Sequence, residues 1–424
     1  MKPQIVLLFM SWIIALTPPA WGAAPSKLQE NLNRFIAEAL ENNPEILEAA
    51  AEIKAVREVP KQAGSLDDPA LMFELMSVPV DTFSLSREDM TQKQVSLSQR
   101  LPFPGKLGLK TEIARKDVEV AESNLEELKL RIAREVKTSY YELCFIMEAT
   151  DIVRHNQDLL KQFVVIAESK YAVGKGVQQD VLKAQVELSK NMDELIQLAQ
   201  RGKTEEARLN SLMNRLPQAP ISISRGIEKS EFGFTTEDLQ KQAENDRPFL
   251  KGLKSLVQRA KSSKSLAKRE HYPDFDIGFR YGQRESSFMA ERPDFVSGFV
   301  SVNIPLWYES KQSRKLAQET FKMDMAQETY KKAKNQVFLQ IKEGMDELQK
   351  GESLLKLIDK GIIPQARQSL ESALSGYTVD KVDFLTLLDN QVTLFKWEIQ
   401  HHRELTDYQK NLAKMEHLVG KTSY

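Results

Sequence analysis

The same five-residue pattern stands twice in this sequence, as Tyr171-Ala172-Val173-Gly174-Lys175 and as Tyr377-Thr378-Val379-Asp380-Lys381. The agreement continues without a gap beyond each copy, where the first copy's Leu182, Gln185, Val186 and Leu188 recur as Leu388, Gln391, Val392 and Leu394. Upstream, Leu101-Pro102 recurs as Ile304-Pro305, and Asp68-Pro69 as Tyr272-Pro273. The spacing of roughly 200 residues is far longer than that of a solenoid repeat. We therefore predict a tandem duplication of one large unit.

The composition excludes several classes of protein and favours long helices. The net charge of −1 over 424 residues gives no electrostatic footprint for nucleic acid. Charged residues make up 28% of the chain, and glycine and proline are scarce, which favours helix over disorder. Cys144 is the sole cysteine, so neither an intramolecular disulfide nor a cysteine-based metal site can form. Its apolar neighbours predict that it packs in a core.

The first 24 residues have the features of a signal peptide. Lys2 supplies the positive charge, and residues 5–16 are apolar but too short to span a bilayer. Ala20-Trp21-Gly22 or Gly22-Ala23-Ala24 offers small residues at the cleavage positions. An uncleaved membrane anchor is the alternative. No later apolar run has the length of a transmembrane helix. We expect an exported protein without a helical span.

Four segments of about ten residues alternate with period 2 and predict two β-hairpins, at 69–102 and 273–305. In the clearest segment, Phe275, Ile277, Phe279 and Tyr281 alternate with Asp276, Gly278, Arg280 and Gly282. Such alternation suits a soluble half-buried sheet, and equally an outer-membrane barrel with lipid outside and water inside. Two isolated hairpins that interrupt very long helices favour the barrel.

Apolar residues spaced by three and four predict long helices at 106–171 and 311–377, with return helices at 178–213 and 383–419. At 1.5 Å per residue, each long helix would measure about 100 Å. Gly361 and Pro364 are expected to kink the second one. Residues 214–236 read as a linker between a first unit, 25–213, and a second, 237–424.

Four strands are too few to close a membrane barrel, so strands that enter a membrane require oligomerisation. Two chains would supply eight strands and three would supply twelve, the latter with a water-filled lumen. Long amphipathic helices packed in a ring would continue the barrel as a tube. The pattern thus predicts an exit duct, with the hairpins at one end and the Tyr171 and Tyr377 turns at the other.

The sequence resembles the TolC-type outer-membrane efflux proteins over nearly all of the mature chain. The resemblance rests on the doubled Tyr-x-Val-x-Lys turn with its following Leu-x-x-Gln-Val, and on Gln99-Arg100-Leu101-Pro102-Phe103-Pro104-Gly105-Lys106. The latter, with Asp67-Asp68-Pro69, resembles the branch that partners heavy-metal cation pumps. The resemblance implies a mainly α fold with a membrane β-barrel. It implies a homotrimer with a twelve-stranded barrel in the outer-membrane lipid of a Gram-negative bacterium, continued by a coiled-coil α-helical tunnel in the periplasm.

The resemblance also implies partners and the surface that meets them. These are a periplasmic adaptor (membrane fusion) protein and, through it, an inner-membrane pump of the RND type. In the family, the helix-turn tips that meet the adaptor carry a Val-Gly motif. The matching residues here are Val173, Gly174 and Lys175 in the first unit, and Val379, Asp380 and Lys381 in the second. Asp380 stands where glycine is usual, which is expected to affect the choice of adaptor.

A periplasmic gate is a further implication of the resemblance. Known members close the tunnel tip with acidic residues on the return helix of the second unit, and the aligned positions are Thr386 and Asp389. Asp389 keeps the acidic character, whereas Thr386 does not. Asp180 occupies the place in the first unit that is equivalent to Thr386. We therefore expect a gate of altered composition at Asp389, Thr386 and Asp180, in which Asp389 and Asp180 supply the acidic groups.

The sequence carries no signature of an enzyme or a cofactor. His401-His402 with Glu398 and Glu404 could form a metal site, but an ordinary polar helix face explains them equally well, and we predict no metal site. Two alternatives remain for function. The same fold could serve drug efflux or type I protein secretion. Alternatively, the protein would not be a channel but a periplasmic structural or adaptor coiled coil with a small soluble sheet.

Overall fold

Long helices and one small sheet make up this protein. The computed structural model describes residues 27–286 and 291–421, so the predicted signal peptide at 1–24 lies outside the described residues. The described part contains a four-stranded sheet in the order β1-β2-β3-β4. None of its helices has the length and apolar character needed to cross a membrane.

The first half of the chain begins with two helices that break at Asn43. The Asn43 side chain caps the second helix by accepting from the Glu45 backbone N–H, and Pro44 takes the first turn, where its missing N–H costs nothing. The elements of this half are α1 (Lys27–Asn42), α2 (Pro44–Gly64), β1 (Ala70–Met76), β2 (Gln92–Leu101), α3 (Lys106–Ala172) and α4 (Gln178–Leu212).

The second half repeats this order of elements. A break at Arg247 and a proline at the first helical position, Pro248, again separate two helices. The elements are α5 (Thr236–Asp246), α6 (Pro248–Arg269), β3 (Phe275–Gln283), β4 (Phe295–Val302), α7 (Gln312–Leu357), α8 (Ile363–Thr378) and α9 (Phe384–Val419).

The second long helix is interrupted where the sequence predicts a kink. Between α7 and α8 lies a π-helical turn, Ile358–Ile362, which ends two residues before Pro364. Proline lacks the N–H of the regular helical bond and clashes with the carbonyl four residues earlier. A π turn admits one extra residue and relieves both problems. The α3 helix runs for 67 residues without such a break.

The two hairpins join into one antiparallel sheet through β2 and β3. Leu97 lies between Leu71 and Phe279, and Val95 between Phe73 and Tyr281. The register therefore gathers the apolar side chains on one face, where Phe73 is 72% and Phe279 is 65% exposed. The opposite face carries polar side chains, among them Gln94, Ser96, Arg280 and Ser301.

The buried side chains form clusters along the helices and not in the sheet. The cluster near the start of the chain joins α1, α3 and α4 and includes Cys144, which is fully buried as the sequence predicts. Another cluster joins α3, α4, α8 and α9 near the two turns and contains Tyr377 and Phe384. This packing fixes the two turns side by side.

An acidic side chain ties three helices together in the middle of the bundle. Glu142 of α3 accepts hydrogen bonds from Arg201 of α4 at 2.8 Å and from Arg403 of α9 at 2.9 Å, and it also pairs with Lys410. Burial alone would raise the pKa of Glu142. The hydrogen bonds from Arg403 and Lys410 outweigh burial and lower the pKa to about 2.

Candidate functional site

Both copies of the repeated turn have the same backbone conformation. In the first, Lys175 N–H donates to the Lys170 carbonyl at 2.9 Å, and Gly174 has φ +72°. In the second, Lys381 N–H donates to the Gly376 carbonyl at 2.9 Å, and Asp380 has φ +60°. A left-handed residue closed by such a bond is the usual end of an α-helix. The repeated sequence therefore encodes one helix-ending turn twice.

The two turns differ in the residue that takes the left-handed conformation. A Cβ at Gly174 would meet no atom within 4 Å, so glycine is favoured there by its φ and not by a lack of space within the chain. Aspartate is one of the few other residues that tolerate this conformation. Asp380 therefore keeps the turn and adds a carboxylate that the first turn lacks.

Asp380 forms a cross-link between the two turns together with Lys170 and Tyr377, a trio that we call the tip clamp. Lys170 pairs with the Asp380 carboxylate and donates to the Tyr377 carbonyl at 2.7 Å. Its Nζ also lies 3.9 Å from the centre of the Tyr377 ring. The bond and charge of Lys170 lower the pKa of Asp380, which keeps the carboxylate ionised. The tip clamp thus fastens the end of α3 to the end of α8.

The starts of the two return helices lie close enough for their acidic groups to interact. Asp383 caps α9, because its carboxylate accepts from the Thr386 N–H at 2.7 Å and from the Thr386 hydroxyl at 3.1 Å. Burial, and then the charge of Asp383, raise the pKa of Asp180 in the first turn of α4. Asp383 thus bonds one of the predicted gate residues, Thr386, and its charge reaches another, Asp180.

Asp389 lies apart from that pair, one turn further along α9. It is exposed and lines a groove of about 1410 Å³ between α4 and α9, together with Leu182, Val186 and the charged Lys183 and Lys396. Asp389 forms no ion pair with another described residue. An exposed, unpaired carboxylate is available to an ion or to a second copy of the chain.

A buried polar trio lies behind this groove. Asn156 of α3 donates to the Asn191 side chain of α4 at 3.0 Å, and Gln391 of α9 donates to Asn156 at 2.7 Å. Gln391 belongs to the repeated Leu-x-x-Gln-Val pattern, yet its counterpart Gln185 is exposed. The same residue type therefore joins helices in one unit and faces outward in the other.

The histidine pair on α9 is engaged in ordinary contacts. His401 Nε2 lies 3.0 Å from a carboxylate oxygen of Asp359 in the π turn, and Glu398 accepts from Arg367 at 3.1 Å. Burial, and then the neighbouring His401, lower the pKa of His402. Within residues 27–286 and 291–421, no three His, Cys, Asp or Glu side chains are grouped to hold a metal ion.

Sequence reasoning missed the tip clamp and the cap, although the differences between the two turns gave a signal. Lys170 precedes the first tyrosine, whereas Gly376 precedes the second. A Cβ at Gly376 would lie 2.5 Å from Val382 Cγ2, so a side chain there would force the turn apart. Of these two unequal residues, Lys170 is the one that reaches the other turn, where it bonds Tyr377 and Asp380.

Comparison with known proteins identifies the fold and the family. The family model described as outer membrane efflux protein matches residues 35–215. The cobalt-zinc-cadmium resistance protein CzcC of Cupriavidus metallidurans is 21% identical over 403 residues, which cover 95% of this chain and 92% of that protein.

Solved outer-membrane channels share the fold along almost the whole chain. The outer membrane protein VceC of Vibrio cholerae superposes with a TM-score of 0.79 at 18% identity, covering 92% of this chain and 96% of that one. The CusC structure, described in terms of transmembrane channel formation, gives a TM-score of 0.75 at 15% identity and covers 92% of both chains. Family, relative and fold agree with the resemblance found in the sequence. The match over residues 35–215 places that part of the chain with the outer membrane efflux protein family, and the similarities together indicate an outer-membrane location.

Proposed function

We propose that this protein is the outer-membrane channel of a tripartite efflux system and forms a passive exit duct for heavy-metal cations. The observation that carries the proposal is the sheet, whose apolar face is exposed while its two outer strands have no second neighbour among the described residues. A sheet of this kind suits lipid on one face and a lumen on the other once it is closed by further copies. The helices then continue the duct away from the membrane.

Three copies are the number that we propose for this assembly. Four strands from each chain give twelve, which encloses a water-filled lumen, whereas eight strands would leave the interior filled with side chains. The repeated order of elements, 25–213 and 237–424 with a linker at 214–236, supports a duplicated unit. In the trimer, that duplication would place six similar units around the duct.

The paired turns are the proposed docking surface for a periplasmic adaptor, which connects the channel to an inner-membrane pump of the RND type. The side chains at Val173 and Val379 are exposed beside the tip clamp, so a partner can reach both turns at once. Lys175 and Lys381 add positive charge to the same surface. Because the tip clamp fixes the spacing of the turns, it also fixes the spacing that an adaptor must match.

Asp389 is the proposed gate residue, and Asp180 and Thr386 contribute from the starts of the two return helices. Three exposed carboxylates brought together by a threefold axis would repel one another, attract cations and exclude anions. This selectivity suits cationic cargo. The cargo itself is proposed from the 21% identity to a cobalt-zinc-cadmium resistance protein over 95% of the chain.

Deletion of the gene tests the whole proposal. The deletion strain should become sensitive to cobalt, zinc or cadmium cations, and the wild-type gene should restore tolerance. The purified protein extracted in detergent should have the mass of a trimer. Sensitivity to drugs with unchanged metal tolerance would reassign the cargo, and a soluble periplasmic monomer would overturn the channel itself.

A further inference from the structure

The sheet indicates where the bilayer ends on the helical side of the protein. Its apolar face is exposed, and its outer strand β4 ends at Val302. Among the residues that follow, Ile304 is 66%, Leu306 73% and Trp307 76% exposed. Exposed apolar side chains are stabilised by lipid, and tryptophan favours the boundary between hydrocarbon and headgroups. In the proposed channel, this segment therefore lies where β4 leaves the bilayer towards the helices.

Basic side chains follow where α7 begins. Lys311 and Arg314 are exposed, and neither pairs with a carboxylate among the residues that the structure describes. Both line an open cavity of about 660 Å³ between the first turns of α7 and the segment that precedes β3. The charged side chains around this cavity are four basic and two acidic: Lys106, Lys311, Arg314 and Lys315 against Glu270 and Asp274. The cavity therefore has a surplus of positive charge and the volume of a small-ligand site.

The corresponding junction in the first half of the chain, after Leu101-Pro102, uses the same kinds of residue internally. Phe103 stacks on Tyr272 with ring centres 4.6 Å apart. Lys106 is buried and donates to the Asp274 carboxylate at 2.7 Å. The aromatic and basic side chains of the first junction are thus bound within the chain, whereas those of the second are exposed. The second junction is therefore the one that can bind a ligand from outside.

We propose that Leu306, Trp307, Lys311 and Arg314, which we call the headgroup patch, bind an anionic phospholipid of the bilayer leaflet that faces the helices. The apolar pair contacts the acyl chains beside the exposed face of the sheet. The basic pair holds the phosphate, to which an arginine can donate two parallel hydrogen bonds. This site rests on the outer-membrane channel proposed above and names the class of lipid that the channel selects.

A phospholipid accounts for both halves of the headgroup patch. Inorganic phosphate has no apolar part and would leave Trp307 in water. A zwitterionic lipid would cover Trp307 but would leave the positive surplus of the cavity unbalanced. Each basic side chain near a bilayer surface favours an anionic headgroup by about fivefold. Two such side chains should therefore prefer an anionic to a zwitterionic phospholipid by about 30-fold at low salt, and less as salt screens the charges.

Quenching of Trp307 fluorescence by brominated lipids tests the site. Replacement of Trp397 by phenylalanine leaves Trp307 as the sole tryptophan of the chain beyond the predicted signal peptide. This variant is reconstituted into phosphatidylethanolamine vesicles that contain a small fraction of brominated phosphatidylglycerol or, in parallel, of brominated phosphatidylethanolamine. Half-maximal quenching should occur at about 30-fold lower mole fraction of the phosphatidylglycerol.

Two charge variants locate the preference. Lys311→Gln with Arg314→Gln should abolish the preference for phosphatidylglycerol while brominated phosphatidylethanolamine quenches as before. The matched control, Lys350→Gln with Lys356→Gln, also removes two positive charges from exposed positions of α7. These positions lie about 50 Å further along the helix at 1.5 Å per residue, so the control should keep the preference.

The outcomes separate the lipid site from the channel itself. Equal quenching by the two brominated lipids, or a preference that survives Lys311→Gln with Arg314→Gln, would overturn the site. Relief of quenching by millimolar inorganic phosphate would assign the cavity to free phosphate, and loss of the trimer mass in this variant would assign the patch to an interface between copies. Either result would overturn the lipid site. A chain that fails to float with the vesicles would overturn the proposed function instead.

Discussion

Replacement of Glu142 by glutamine should destabilise the helical bundle at neutral pH. Glutamine has the shape of a protonated glutamate, so Glu142→Gln removes the charge and leaves the packing. The pKa of Glu142 falls from 4.5 to about 2 in the folded chain, and each pKa unit corresponds to about 1.4 kcal/mol. Because the side chain is only 12% exposed, solvent screens this interaction little. The expected loss in the free energy of unfolding is about 3 kcal/mol.

The pH dependence of this loss follows from the direction of the pKa shift. A lowered pKa means that the unfolded chain binds the proton more readily than the folded chain. The stability contributed by Glu142 is therefore fully present above pH 4.5 and is lost as pH falls towards about 2. The difference between wild type and Glu142→Gln should shrink over the same range. Urea unfolding in detergent, followed by far-ultraviolet circular dichroism, measures it without adding salt that would screen the charges.

A matched control separates the buried network from surface charge. Asp158 lies on the same helix and pairs with Lys161 at 2.9 Å, but both side chains are more than half exposed. Such surface pairs contribute about 0–1 kcal/mol, so Asp158→Asn should have little effect. The reasoning is refuted if Glu142→Gln matches this control at neutral pH, or if its deficit persists unchanged at the lowest pH.

Three further predictions concern the membrane face, the tips and the gate. Phe279→Arg should cost roughly 2–4 kcal/mol if this position lies at mid-bilayer depth, whereas Ser301→Arg on the opposite face should cost much less; equal assembly yields for the two variants would contradict the assigned faces. Gly174→Leu forces a branched side chain into a left-handed turn and should abolish efflux in a tolerance assay while the trimer persists; normal efflux would place adaptor docking elsewhere. Asp389→Ala should change single-channel conductance, cation preference and block by divalent cations in a planar bilayer. The control Asp193→Ala, outside the groove, should change none of them. Unchanged conductance and selectivity in the Asp389 variant would remove this residue from the gate.

Much of the local structure could be predicted from the sequence because it depends on short-range periodicity. The change from a period of 3.6 to a period of 2 after Asp68-Pro69 locates the first strand. In β3, the alternation assigns Phe279 and Arg280 to opposite faces, and the register of the sheet agrees. The doubled turn indicated two equivalent helix ends, and both are closed by the same bond from the lysine N–H. The family resemblance, carried by these motifs, is confirmed by the comparisons.

The remaining features depend on residues far apart in sequence that only the fold brings together. Lys170 meets Asp380 across 210 positions, and Glu142 meets Arg403 across 261. No local pattern encodes which of many lysines or arginines reaches a given carboxylate, since partner choice depends on how helices pack. The roles of Asp383 as a cap and of Gln391 as a buried link were decided in the same way. The sequence by itself determined the elements, the repeated turn and the family, because these follow from spacing along the chain. Only the tertiary structure decided how the two turns are fastened together and which edges of the sheet remain open, because these follow from contacts between distant segments.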